Sequence, residues 1–163
     1  MGTARGRRRL RLRPMNPVAA RALFDSAVTR LDARTLASRG WAVHCKTFPL
    51  LDLSFRSTEL QELRVRLRCD DWNDSPPSVE LLAPGGDLLA ALPAQRPGSS
   101  IFNPGRHPST DRPFVCMAGV REYHTHPSHV GDLWSVRKSQ DAFLLGGIIT
   151  QLWRGWQRFW PCV

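Results

Sequence analysis

Apolar residues recur at three- and four-residue steps near the N-terminus, which is the spacing of an amphipathic helix. The positions that carry this stripe are Leu23, Phe24, Ala27, Val28 and Leu31. Asn16 followed by Pro17 is a favourable start, because asparagine caps free backbone N–H groups and proline fits the first helical turn. Gly40 is a suitable stop. The pattern therefore predicts a first helix that begins at Asn16–Pro17 and ends by Gly40.

Between residues 41 and 82 the spacing of apolar positions changes to two, which is typical of half-buried strands. Residues 41–48 are rich in strand formers and are interrupted by Pro49. Residues 51–56 alternate leucine and phenylalanine with polar residues, and residues 63–68 alternate apolar residues with arginines that we expect on a solvated face. A fourth short strand at 79–82 follows a double proline. These segments predict a four-stranded antiparallel meander.

The C-terminal third of the chain predicts a long loop and then a helix. Residues 87–131 are rich in proline and glycine, and a connection of that length usually carries function. Ser139 can cap a final helix whose apolar positions are four apart: Leu144, Ile148, Leu152, Trp156 and Trp160. Gly146 and Gly147 either weaken this helix or allow another backbone to approach closely. The fold class predicted is α+β, with an N-terminal helix, a four-stranded antiparallel meander, a long active-site loop and a C-terminal helix.

Composition indicates a single domain with a basic leader. The chain has 163 residues, 42% of them hydrophobic, and a net charge of +9, which falls to +3 once the six arginines before residue 14 are set aside. We expect residues 1–15 to form a disordered basic leader and residues 16–163 a single domain. The leader lacks the apolar stretch of a secretory signal, and no apolar run is long enough for a membrane span. Neither nucleic acid nor a membrane is predicted as a partner.

The cysteine pattern indicates a reducing, cytoplasmic environment. The chain has four cysteines: Cys45, Cys69, Cys116 and Cys162. They form no Cys-x-x-Cys pair, and a chain of this size does not need disulfides. Cys45 and Cys69 fall in strand-like segments, where free cysteine behaves as a small buried hydrophobe. Cys116 lies in the loop among polar residues, with three histidines shortly after it. It is therefore the candidate nucleophile.

Five short motifs occur in the order, and at about the spacing, of one known family. They lie at 72–77 (a double-proline turn), 107–109 (His-Pro-Ser), 114–117 (around Cys116), 132–135 (a tryptophan stretch) and 144–153 (the helix that follows). In this order the chain resembles the ubiquitin-conjugating enzymes, in the divergent form encoded in bacterial ubiquitin-like conjugation operons. The resemblance covers residues 16–157.

This resemblance implies a transferase. Cys116 would accept a ubiquitin-like protein as a thioester from an activating enzyme and pass it to an amine, with no cofactor of its own. The operon analogy implies a role in antiviral defence. His107, Pro108 and Ser109 would shape the active-site loop. Ser109 stands where the family has an asparagine that supports the loop and the oxyanion, and Asn103, six residues upstream, is a substitute candidate.

Thiol catalysis at neutral pH needs help, since an ordinary cysteine with a pKa near 8.5 is only slightly ionised. The histidine-rich segment that follows Cys116 offers imidazoles that could accept its proton or stabilise an oxyanion. We place His124 and His126 ahead of His129 because they are nearer in sequence. With Asp132 added, the predicted catalytic residues are Cys116, His124, His126 and Asp132.

Three alternatives stay open. The three histidines, Cys116 and Asp132 could ligate zinc. The segment 124–127 resembles the His-x-His-Pro of JAMM-type zinc isopeptidases, with Ser135 at the serine spacing but Lys138 in place of the aspartate. The chain could also be an inactive binding module of the conjugating-enzyme fold, which a buried Cys116 would indicate.

Overall fold

The computed structural model describes residues 15–163, so the predicted basic leader lies outside the described residues except for Met15. In chain order the elements are α1 (Pro17–Thr29), α2 (Ala33–Arg39), β1 (Trp41–Thr47), β2 (Leu50–Phe55), β3 (Leu63–Arg68), β4 (Ser78–Leu82), β5 (Phe102–Asn103), β6 (Phe114–Val115), α3 (Arg121–Thr125), α4 (Trp134–Arg137) and α5 (Leu145–Phe159), with 3-10 turns at Pro127–His129 and Asp141–Phe143. The predicted α+β class is confirmed. No helix in the described part of the chain is both long enough and apolar enough to cross a membrane.

The single N-terminal helix that the apolar stripe predicted is two helices. Asn16 caps α1 as expected, its side chain accepting a hydrogen bond from the backbone N–H of Val18 at 2.9 Å. Asp32 then caps a second helix by accepting from the N–H of Thr35 at 2.8 Å. Gly40 ends α2 rather than α1, in the left-handed conformation with φ of 65°. The stripe did not reveal the break, because a local cap such as Asp32 leaves the apolar spacing unchanged.

The four longer strands form an antiparallel sheet in the order β1-β2-β3-β4, as the alternation predicted. Leu53 of β2 pairs with Val65 of β3, which in turn pairs with Leu81 of β4. Their side chains share the sheet face on which α5 packs, through a contact between the rings of Phe55 and Trp156 at 5.8 Å. This face is the centre of the hydrophobic core.

The opposite face of the sheet carries an ion-pair network instead of the fully solvated arginines that we expected. Asp52 is only 3% exposed, and it accepts hydrogen bonds from Arg64 at 2.7 Å and Arg66 at 3.0 Å. Burial would raise the pKa of Asp52, but the hydrogen bonds from the two guanidinium groups outweigh it and lower that pKa below its usual range. Two of the arginines of β3 therefore serve as partners of a buried carboxylate.

Structure also occurs within residues 87–131, which the sequence suggested to be mostly irregular. Strands β5 and β6 form a separate two-stranded antiparallel pair, with Phe102 opposite Val115. The helix α3 and the first 3-10 turn follow it. Two-residue strands are too short to show an alternating pattern, so no periodic signal indicates them in the sequence.

The C-terminal helix begins later than expected. Ser139 is exposed and lies before the second 3-10 turn, whereas α5 begins at Leu145. Gly147 allows the close backbone approach that the sequence suggested as one of two possibilities. A Cβ atom added there would lie 2.3 Å from the carbonyl oxygen of Asp141. The neighbouring Gly146 has open space around the same position.

The two glycines provide a matched test of this packing. We expect Gly147→Ala to lower the free energy of unfolding by about 2 kcal/mol, because its methyl group overlaps backbone that cannot move aside cheaply. Gly146→Ala should leave stability unchanged or raise it by up to about 1 kcal/mol, because alanine favours the helix. Urea unfolding monitored by tryptophan fluorescence measures both, and equal effects of the two substitutions would contradict the assigned contact.

Candidate functional site

Cys116 lies directly after β6, at the edge of an open groove. Its backbone N–H donates to the carbonyl oxygen of Ile101 at 2.7 Å, which continues the β5–β6 pairing by one residue. Phe102 and Val115 point into the core, so the residues on either side of them in each strand face the other way. The groove has a volume of about 670 Å³ and is lined by residues 95–100, 102–104 and Cys116. The partly buried thiol therefore borders accessible space, and the deeply buried cysteine expected of an inactive module is not observed.

An imidazole lies beside the thiol, at a distance that allows a hydrogen bond between them. Partial burial raises the pKa of Cys116, so thiolate is scarce at neutral pH without assistance. His129 Nε2 lies 3.7 Å from Cys116 Sγ, within hydrogen-bond distance for sulfur. The turn that carries this imidazole is fixed by a bond from the His129 N–H to the His126 carbonyl at 3.0 Å. The geometry therefore favours His129 over the two histidines that we ranked first.

His124 is engaged with the backbone through both ring nitrogens. Its Nδ1 donates to the carbonyl oxygen of Asp132 at 2.7 Å, and its Nε2 accepts from the N–H of Gly119 at 3.3 Å. An imidazole that uses both nitrogens in this way has no free position for proton transfer. The predicted catalytic role of His124 is therefore not supported by its contacts, which fasten α3 to the loops on either side.

His126 is also placed for packing. Its ring stacks on Phe114 with centroids 5.7 Å apart and an interplanar angle of 16°, and its Nδ1 accepts from the N–H of Ser128 at 3.2 Å. Its ring centroid lies 5.9 Å from that of His129. His126 is therefore a neighbour of His129, the imidazole that contacts the thiol, and the sulfur contact belongs to His129.

Asp132 reaches the site through other residues. It accepts a hydrogen bond from the Tyr123 hydroxyl at 3.1 Å and two from Arg137 at 2.6 and 2.7 Å. The Arg137 hydrogen bonds are the main cause that lowers the pKa of Asp132, whereas burial followed by the Asp132 contact raises the pKa of Tyr123. Tyr123 in turn stacks on the His129 ring at 4.0 Å. Asp132 is therefore placed to orient Tyr123, and not to exchange protons with Cys116.

The His-Pro-Ser motif shapes its loop, but it does not bring Ser109 to the groove. His107 is 1% exposed; its Nε2 donates to the carbonyl of Glu122 at 2.9 Å and its Nδ1 accepts from the N–H of Ser109 at 3.2 Å. This agrees with the loop-shaping role predicted for His107. Pro108 and Ser109 are exposed on the turn and do not line the groove beside Cys116.

Asn103 lines the groove where Ser109 does not. It pairs with Phe114, whereas Cys116 is bonded to Ile101, so Asn103 and Cys116 lie diagonally on the same face of the pair. The Asn103 Oδ1 accepts from the N–H of Gly105 at 2.8 Å, which leaves the Nδ2 amide as the donor offered to the groove. The sequence signal for this placement is weak. Two pairs of apolar residues, at 101–102 and 114–115, flank a segment rich in turn residues, as the strands of a hairpin do.

The geometry offers no support for the zinc alternatives. Within residues 15–163, no three histidine, cysteine, aspartate or glutamate side chains converge as a metal-ligand group. Of the JAMM-like residues, His124 is committed to backbone and Lys138 binds Asp74 at 3.1 Å. The site is therefore defined by one half-buried thiol, one imidazole in contact with it and one asparagine on the same face.

Comparisons with known proteins connect this part of the chain with one family. Residues 91–156 match the family model of the Y4jH-like (Y4jH) family, and this range holds every candidate site residue named above. A stretch of 43 residues, 24% of the chain, is 51% identical to protein y4jH of Sinorhizobium fredii (strain NBRC 101917 / NGR234). That stretch spans 21% of the relative's length. Neither match assigns an activity, so the likeness to ubiquitin-conjugating enzymes stays a prediction.

Selective alkylation tests the placement of the thiols. Burial raises the pKa of Cys69 to about 12, so that thiol is protonated at pH 8 and shielded, whereas Cys116 borders the groove. We expect iodoacetamide to label Cys116 in the native protein and Cys69 only after unfolding in urea. Peptide mass spectrometry measures the labelling of each cysteine. Equal labelling of Cys69 and Cys116 in the native protein would contradict the burial of Cys69 and the accessibility of Cys116.

Proposed function

We propose that this protein is a ubiquitin-conjugating-enzyme-like transferase that carries a ubiquitin-like protein as a thioester on Cys116. The observation that carries the proposal is the pairing of a groove-facing thiol with an imidazole 3.7 Å away. Acyl transfer requires a nucleophile that partner proteins can reach and a group that takes its proton. The α+β architecture and the order of motifs support the same class. The partners would be an activating enzyme and the ubiquitin-like protein, in a cytoplasmic pathway.

In the first step Cys116 takes the acyl group from the activating enzyme. The Cys116 sulfur attacks the acyl carbon of the thioester on the partner while its proton passes to His129 Nε2. The new sulfur–carbon bond forms, the partner's thiolate leaves, and the imidazolium then returns the proton to solvent or to that thiolate. The groove beside Cys116, lined in part by Gly98, Ser99 and Ser100, offers an extended acyl tail a path to the sulfur.

In the second step an amine takes the acyl group from Cys116. The amine nitrogen attacks the thioester carbon, the carbonyl oxygen acquires negative charge, and the Cys116 thiolate leaves as the amine proton passes to His129. A donor aimed at that oxygen is often worth about 3 kcal/mol. Asn103 Nδ2 is the side-chain donor proposed here, since Asn103 shares a face of the β5–β6 pair with Cys116.

A charging assay with activating enzyme, ubiquitin-like protein and ATP tests the carrier role. We expect a covalent adduct that thiol reagents remove, which Cys116→Ala abolishes and Cys116→Ser converts to a more stable ester. Cys162→Ala is the matched control, because Cys162 is exposed near the C-terminus and should charge normally. His129→Asn should slow charging by about 10²-fold. An adduct that survives Cys116→Ala would refute the assignment.

The role of Asn103 is tested by separating the two steps. We expect Asn103→Ala to charge at nearly the normal rate but to discharge to an amine about 10²-fold more slowly, because the oxyanion loses its donor. Ser109→Ala is the control and should discharge normally, since Ser109 is exposed on its turn. Single-turnover discharge of the purified thioester to free lysine gives both rates. Slow discharge of Ser109→Ala together with normal discharge of Asn103→Ala would assign the oxyanion donor to Ser109 instead.

A further inference from the structure

The imidazole that contacts Cys116 is stacked on an aromatic ring, that of Tyr123. His129 lies in a three-residue turn whose backbone is fixed by the His129 N–H bond to His126, but this backbone bond does not set the rotation of the ring. Tyr123 stacks on the His129 ring with centroids 4.0 Å apart and planes 12° from parallel. This contact fixes the plane of the imidazole and therefore the direction in which Nε2 points.

Tyr123 is itself fixed at its other end. Its hydroxyl donates to Asp132 Oδ2, and the same carboxylate is held by two hydrogen bonds from Arg137. The Arg137 guanidinium lies over the ring of Phe143, 5.4 Å from its centroid. Because Phe143 is buried, this contact connects the series of side chains to the core. The stack on His129 is thus connected to buried structure through three successive side chains.

We propose that Tyr123 is a positioning residue whose ring holds His129 in reach of Cys116, with Asp132 and Arg137 fixing the ring. The proposal rests on the proton-acceptor role given to His129 above. The groups that face the imidazole are Cys116, Tyr123 and the neighbouring His126 ring, and the Asp132–Arg137 pair lies behind Tyr123. A ring that rotates away from the sulfur loses the proton-transfer path even though the protein stays folded.

Alkylation of Cys116 by iodoacetamide tests this without any partner protein. Sulfur forms a bond to carbon, iodide leaves, and the thiol proton goes to His129. We expect His129→Asn to slow the reaction at pH 7 by about tenfold, less than a full general-base contribution because free thiolate also reacts. Tyr123→Leu should slow it by a similar factor, and Tyr123→Phe should retain most of the rate because the stacking ring remains. Ser128→Ala, an exposed change in the same turn, is the control and should react normally.

The double variant decides whether Tyr123 acts through His129. Tyr123→Leu combined with His129→Asn should react no more slowly than His129→Asn alone, because the imidazole that the ring positions is already absent. Multiplication of the two single effects would overturn the proposal, as would normal alkylation of Tyr123→Leu. If Tyr123→Leu does not fold, as judged by circular dichroism, Tyr123→Met replaces it, because methionine also lacks the stacking ring. The same outcomes then support or overturn the proposal.

The same assay separates this inference from the proposed function. Normal alkylation of His129→Asn would remove both the proton-acceptor role and the role of Tyr123. The expected alkylation pattern in a protein that never charges with a ubiquitin-like protein would keep Tyr123 as a positioning residue and remove only the transfer activity.

Discussion

The pairing of β5 with β6 is the constraint on which the site depends. Each strand has only two residues, yet Phe102 and Val115 are almost fully buried and therefore fix the register of the pair. Because side chains alternate across a strand, this register turns Asn103 and Cys116 to the opposite face, toward the groove. A shift of one residue would bury the thiol and expose a core residue, so the hydrophobic core determines that the sulfur is accessible.

The part of the site formed by α3 and the turn that carries His129 is held in place independently of the β5–β6 pair, largely by hydrogen bonds from histidines. His107 and His124 each use both ring nitrogens in hydrogen bonds, almost all of them to backbone groups. Glu122 of α3 is buried and accepts from the backbone N–H of Val79, which ties that helix to the edge of the main sheet. With α3 fixed in this way, Tyr123 and the turn that carries His129 have defined positions beside Cys116.

The sequence was most informative where long periodic patterns exist. The sheet, its order and the apolar side of the last helix all follow from spacing alone. Cys116 was chosen instead for the polar residues and histidines near it in sequence, and the structure places it directly after β6, between buried Val115 and Met117. Distance along the chain was a poor guide within the histidine-rich segment, because His124 and His126 lie nearer to Cys116 in sequence but turn toward backbone and Phe114. The importance of Asn103 depends on strand register, which two-residue strands do not reveal in sequence.

The raised pKa of Cys116 has opposite consequences for the two steps of an acyl carrier. A more basic sulfur is a stronger nucleophile once deprotonated, but it is scarcer as thiolate and leaves less readily. In the proposed carrier, entry of the acyl group would depend on the imidazole 3.7 Å from the sulfur, and its departure on donors that stabilise the oxyanion. The two residues that would supply these needs, His129 and Asn103, lie on different elements, so each can be substituted without changing the other.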